Sequence, residues 1–171
     1  MVFFKRRKER RHLDTIAHKL YSGMVEQSRQ PIFYTDHGVP DTLDGRFDML
    51  SLHMSLLVRR LGSIDLTQAL VDMMFADMDV NLRETGVSDL AIGRRVRKLA
   101  EAFYGRLHAY ADALDRSDLP AMKQALCRNL YRQDTHASAG AIAEYAFGLA
   151  HQLAAISTQS FLNGEMDIDR P

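Results

Sequence analysis

The chain has 171 residues, with 22 Lys and Arg against 22 Asp and Glu, 46% apolar residues and one cysteine. These figures suit a single soluble domain and exclude collagen-like, mucin-like and wholly disordered chains; a lone Cys127 excludes an internal disulfide framework or a cysteine-cluster metal site. The balanced charge hides an asymmetry: residues 1–20 hold seven basic and two acidic groups, net +5, so the remaining body carries −5, which argues against a duplex-binding face and against DNA as a partner.

MVFFKRRKERR opens the chain as a basic arm over residues 1–10. It is followed by HLDTIAHKL and not by an apolar run, which reads against a secretory signal. No stretch of 18 uncharged apolar residues suggests a transmembrane helix. Two readings of the arm stand. It is a solvated start, or Phe3 and Phe4 insert shallowly while Lys5, Arg6, Arg7, Lys8, Arg10 and Arg11 attract anionic lipid or ribosomal RNA phosphate.

Leu13, Ile16, Ala17, Leu20, Met24 and Val25 recur at helical spacing and predict a half-buried helix ending before Pro31. PIFYTDHGVPDTLDG reads as a long loop, a kind of segment that is disproportionately functional. A second helix is expected from behind Asp44, taken as its N-cap, to Gly62. Its stripe is Phe47, Leu50, Met54, Leu57 and Leu61. A third, capped by Ser63 and closed by Gly86, faces inward with Leu66, Leu70, Met73, Met74, Asp77 and Val80. Ser88 caps a fourth, to about Leu114, with Leu90, Val96, Leu99, Phe103 and Leu107 inward. Gly93 or Gly105 marks a start, a kink or a close contact in it. Pro120 begins a fifth, to about Tyr131. The sixth runs from about Ala137 to Phe161 and stops at Asn163 and Gly164. The fold class is all-α: one irregular bundle of about six helices over residues 11–162, with residues 163–171 as a frayed tail.

Chemistry is sparse. The di-iron signature appears once, as Glu9–His12 inside the arm, and the seven histidines are scattered, so no metal is expected. No nucleophile elbow or phosphate-cradling glycine motif is present, so neither a cofactor nor catalysis is expected. Cys127 reads as a small buried hydrophobe and His53 as a hydrogen-bonded core histidine. Asp36, Asp41, Asp44 and Asp48 crowd the loop. They serve as caps, turns and first-turn dipole partners, or they form a recognition surface. Asp79 and Arg83 sit at i, i+4 and can pair. Asp77, if drawn inward, needs a partner, and the basic run Arg94, Arg95, Arg97 and Lys98 is the natural candidate. Met49, Met54, Met73, Met74 and Met78 form an ordinary methionine-containing core or an adaptable client groove.

Long stretches of the chain resemble the ubiquinol–cytochrome c chaperone family. They are Phe33-Tyr34-Thr35, Gly38-Val39-Pro40-Asp41, Asp44-Gly45-Arg46-Phe47-Asp48, Asp77-Met78-Asp79, Asn81-Leu82-Arg83-Glu84 and Gly93-Arg94-Arg95-Val96-Arg97-Lys98. The resemblance covers about residues 10–160. It implies a non-enzymatic assembly factor that binds newly made cytochrome b. Mitochondrial members act with a small partner protein and at the translating ribosome. The short N-terminus looks like that of a bacterial member, working in the cytoplasm or peripherally on the cytoplasmic face of the inner membrane. The resemblance carries over Tyr34, Asp36, Asp41, Asp44, Arg46, Asp48, Asp77, Asp79, Arg83, Glu84, Arg94, Arg95, Arg97 and Lys98 as interaction residues, with no individual role assigned. A peripheral membrane- or ribosome-binding adaptor is the competing class.

Overall fold

Residues 43–61 carry the architecture, because the rest of the chain wraps them. The computed structural model describes residues 2–171 apart from Ser63, Thr85 and Val87, and the side chains of Arg7 and of residue 9 onward apart from those three and Leu90. Its α-helices are α1 (Val2–Ser28), α2 (Pro31–Thr35), α3 (Leu43–Leu61), α4 (Asp65–Glu84), α5 (Asp89–Asp115), α6 (Leu119–Leu126), α7 (Ala139–Ala155) and α8 (Thr158–Leu162), with a π-helical turn, Cys127–Tyr131, directly after α6. No strand occurs among the described residues. The all-α bundle is as expected, with more and shorter elements than six.

In α3 every residue from Phe47 to Val58 is buried. The expected one-sided stripe is therefore enclosed on every side over these residues, with both ends of α3 open. α1, α5 and α7 pack around it, and α4 bridges α1 and α5. Each wholly buried Leu or Met there stabilises the fold by about 1.5–3 kcal/mol. The five clustered methionines belong to this interior: Met49, Met54 and Met74 have no exposure, Met78 has 6% and Met73 is half-buried. The four buried ones are core, and the client-groove reading is withdrawn for them; Met73 stays partly open on the outer side of α4.

The histidine buried inside α3 is answered by its own helix and by α7. His53 is fully buried; its Nδ1 lies 2.9 Å from the Met49 carbonyl and its Nε2 lies 2.8 Å from the Tyr145 hydroxyl. A carbonyl only accepts, so Nδ1 carries the proton and Tyr145 donates to Nε2. Burial pulls the imidazole pKa down to about 4, which keeps it neutral.

Several local expectations are corrected. Thr42, not Asp44, caps α3, accepting from the Gly45 N–H at 3.1 Å; Asp44 lies in the first turn. A Cβ at Gly45 would sit 1.9 Å from the Pro40 carbonyl oxygen, so this tight entry requires glycine. α2 shortens the expected loop to residues 36–42. α4 is rotated from the expected face: Val80 is 52% exposed, while Val71, Met78 and Leu82 are buried. The cause is contact with two helices, α1 and α5. α5 is continuous through Gly93 and Gly105, and a Cβ at either meets nothing within 4 Å, so neither starts the helix or marks a close contact. The Ser63 cap and the inward Leu90 lie outside the described residues.

The last expected helix is two. Ile156 is extended, and Ser157 recaps the chain by accepting from Ser160 N–H at 3.0 Å. Arg60 from α3 donates to the Leu153 and Ile156 carbonyls at 3.0 and 2.5 Å, supplying partners where α7 stops. The tail expected to fray instead packs back onto the bundle. The Gln27 amide donates to the Ile168 and Asp169 carbonyls at 3.5 and 3.3 Å, and Asp169 N–H donates to Gln152 at 2.8 Å. Met166 and Ile168 pack against the core.

Candidate functional site

The α2–α3 loop and the start of α5 bring together most of the charged residues singled out from sequence. Gly38 turns the loop at φ +66°, and Tyr131, on the π-turn, pins it by donating from its hydroxyl to the His37 carbonyl at 2.9 Å. The Tyr131 ring stacks on His136 with centroids 3.6 Å apart, and burial pushes its hydroxyl pKa up to about 12. Tyr34 is half-buried and donates to the Ser28 carbonyl at 2.8 Å. It anchors α2 to the end of α1.

On this frame the carboxylates separate into two kinds. Asp36, Asp41 and Asp44 are exposed. Asp36 accepts from the Thr35 hydroxyl at 2.5 Å. Asp41 pairs with Arg46 at 2.6 Å, and that hydrogen bond holds its carboxyl below the usual range. Asp44 meets Arg95 at 3.3 Å. Arg94, Arg97 and Lys98 are exposed beside Arg95 on α5. The loop end and the basic run are therefore adjacent.

Asp48 differs. It is 2% exposed and forms ion pairs with Arg106 of α5 at 2.6 Å and with Arg132 at 2.7 Å. Burial raises its pKa, against the pull of both guanidiniums. Arg106 also lies over the Phe47 ring at 5.4 Å. Asp48 is inaccessible, so its expected place among the partner-binding residues is corrected: it is an internal tie. Arg132 reaches it from a left-handed backbone, φ +53°, just past the π-turn. Sequence reading missed Arg106, Arg132 and Tyr131. A four-carboxylate loop signals that one member needs a basic partner, but not which arginine supplies it.

Asp77 is also corrected. Its partner is Tyr21 of α1, whose hydroxyl donates to it at 2.8 Å, not the basic run on α5. At the α4–α5 turn Arg83 forks between Asp79 at 2.7 Å and Asp89 at 2.6 Å, with Glu84 exposed beside it. The side chains of Phe3, Phe4, Lys5, Arg6 and Lys8 lie outside the described residues, although the backbone of the basic arm continues α1 to Val2. Arg7, Arg10 and Arg11 are exposed.

The arrangement is a charged surface over an internally tied bundle. Among the described residues no three His, Cys, Asp or Glu side chains converge as a metal set, and no helix is long and apolar enough to cross a membrane.

A family model described as ubiquinol-cytochrome C chaperone matches residues 35–168. The chain belongs to the ubiquinol–cytochrome c chaperone family. Its fold is similar to the crystal structure of the Cbp3 homolog from Brucella abortus, with TM-score 0.85 and 34% identity, covering 99% of this chain and 97% of that one. No curated protein matches the chain. The shared chaperone fold thus extends through α1 and the packed tail.

Proposed function

We propose that the chain is a non-enzymatic chaperone that binds newly made cytochrome b and promotes assembly of the ubiquinol–cytochrome c reductase complex. The observation that carries this is the family match over residues 35–168, joined to a structural match along nearly the whole chain. A nascent membrane protein offers charged flanks between apolar helices. Asp36, Asp41, Arg46, Asp44, Arg95, Arg94, Arg97 and Lys98 are exposed charges of both signs, with the loop end and the basic run joined by the Asp44–Arg95 pair. Exposed pairs add only about 0–1 kcal/mol each to stability, so folding alone explains their density poorly. Asp79, Arg83 and Glu84 extend the charged surface at the α4–α5 turn, and Tyr34 anchors the loop.

Such a chaperone works at the cytoplasmic face of a bacterial inner membrane. The exposed Arg7, Arg10 and Arg11 on α1 favour an added contact with anionic lipid or the ribosome. A small helical partner protein, as in mitochondrial members, is a further expected associate. The test is a deletion strain. Haem-loaded cytochrome b and assembled reductase should fall while other respiratory complexes stay at wild-type level. Normal cytochrome b in that strain would refute the reading.

A further inference from the structure

α1 and α4 lie side by side in the same direction, and a groove follows their outer seam. One half is lined by residues 9–14 of α1 and 65–76 of α4, the other by residues 18–29 and 73–80. The halves meet at Met73 and Ala76. From Asp65 to Val80 the seam spans about 22 Å, the length of a helix of about 15 residues.

The floor is apolar: Leu13, Val25, Met73, Ala76 and Val80. Val80 is 52% exposed, a large apolar side chain left open in a helix whose other face is fully packed. The rim is acidic. Of the rim acids, Glu26 pairs with Arg170 at 2.8 Å. The rim also carries Glu9, Asp14, Asp65, Asp72 and Asp77 against Arg10, Arg29 and His18. These acids are treated unlike those elsewhere. Asp79 and Asp89 share Arg83, and Asp41 has Arg46. Among the described residues the Asp72 carboxylate bonds to the Gln68 amide alone, at 2.6 Å, and that of Asp77 to a tyrosine alone. Among the described residues Glu9, Asp14 and Asp65 form no ion pair. Acids facing one another across a helix seam repel. Among the described residues that repulsion stands beside an open apolar floor.

We infer that this groove docks an amphipathic helix with a basic face, supplied by a partner protein. The seam between two parallel helices offers a third helix a ridge-into-groove seat, with apolar anchors at i, i+3, i+4 and i+7. The acidic rim selects Lys and Arg on its flanks and rejects phosphate-bearing surfaces, lipid or nucleic acid. The site is distinct from the Asp44–Arg95 surface and does not depend on which client that surface binds.

The test uses the full chain and two synthetic helices of equal apolar face, one with Leu and Lys, one with Leu and Glu, followed by fluorescence anisotropy. The Lys helix should bind about tenfold or more tighter than the Glu helix, and more weakly as salt rises. It should protect α1 and α4 from amide hydrogen exchange. Ala76→Trp, which fills the groove, and Asp72→Lys should each weaken it about fivefold or more. Asp134→Lys, on the exposed stretch after the π-turn, should leave it unchanged. Should Ala76→Trp fail to fold, the exposed Asp72→Lys decides. Equal binding of both helices, protection elsewhere, or equal losses from Asp72→Lys and Asp134→Lys would overturn the inference.

Discussion

Asp44 and Asp48 sit one turn apart on α3 and have opposite fates. Asp44 is exposed and meets Arg95 at 3.3 Å, in water's reach. Asp48 is 2% exposed, between Arg106 and Arg132. The difference teaches where charge does structural work in this bundle. A buried carboxylate must keep its partners, since removing one member strands the others in a low-dielectric interior. An exposed one trades its partner for water at little cost. The exposed set is therefore free to serve recognition, and the buried set is not.

The sharpest way to break this comparison is Asp48→Ala. It strands Arg106, whose side chain is only 11% exposed, and should cost about 3–5 kcal/mol in denaturant unfolding. A loss below about 1 kcal/mol would place Asp48 with the surface set. A second test uses His53, buried and neutral with a pKa of about 4. Its folded pKa lies below the unfolded value of about 6.5, so the unfolded chain binds the extra proton between these values. Stability should be full above pH 6.5 and fall as pH drops, by about 2 kcal/mol from pH 7 to pH 5. His53→Gln should be less stable overall yet flatter in pH over that window. The carboxylates Asp48, raised by burial, and Asp41 and Asp118, lowered by their hydrogen bonds, are common to both chains and cancel in the comparison. A smaller effect is expected at the junction of the two regions. Thr42→Ala removes the cap that starts α3 and should cost about 1 kcal/mol in thermal unfolding; a loss as large as that of Asp48→Ala would mean the loop, not the interior tie, holds α3.

Local signals made much of this legible from sequence. Gly62 ends α3 and Asp118 with Pro120 begins α6 because caps act within a few residues. His53 and Cys127 read correctly as interior because their flanks are apolar. What escaped depends on distant chain. The tail is held by Gln27 and Gln152, and α7 breaks where Arg60 of α3 takes its carbonyls. The rotated face of α4 follows from packing on two helices at once, which a single hydrophobic stripe cannot announce. For the site, the acidic loop and basic run were visible as charge, and their adjacency at Asp44–Arg95 was inferable from complementarity. The withdrawal of Asp48 was not, because Arg106 and Arg132 reach it only through tertiary packing and a left-handed residue after the π-turn.

On the proposed function, the exposed charges around α3 and α5 recognise a client and do not merely hold the fold. One exchange separates these roles. Asp44→Arg combined with Arg95→Asp preserves the ion pair while inverting the charge pattern a partner meets. Stability should stay within about 1 kcal/mol of wild type. Affinity capture of newly made cytochrome b from respiring cells should fall severalfold for this double variant, as for Arg95→Asp alone. If the exchange restores wild-type capture after Arg95→Asp has lost it, the pair is structural and the claim is contradicted.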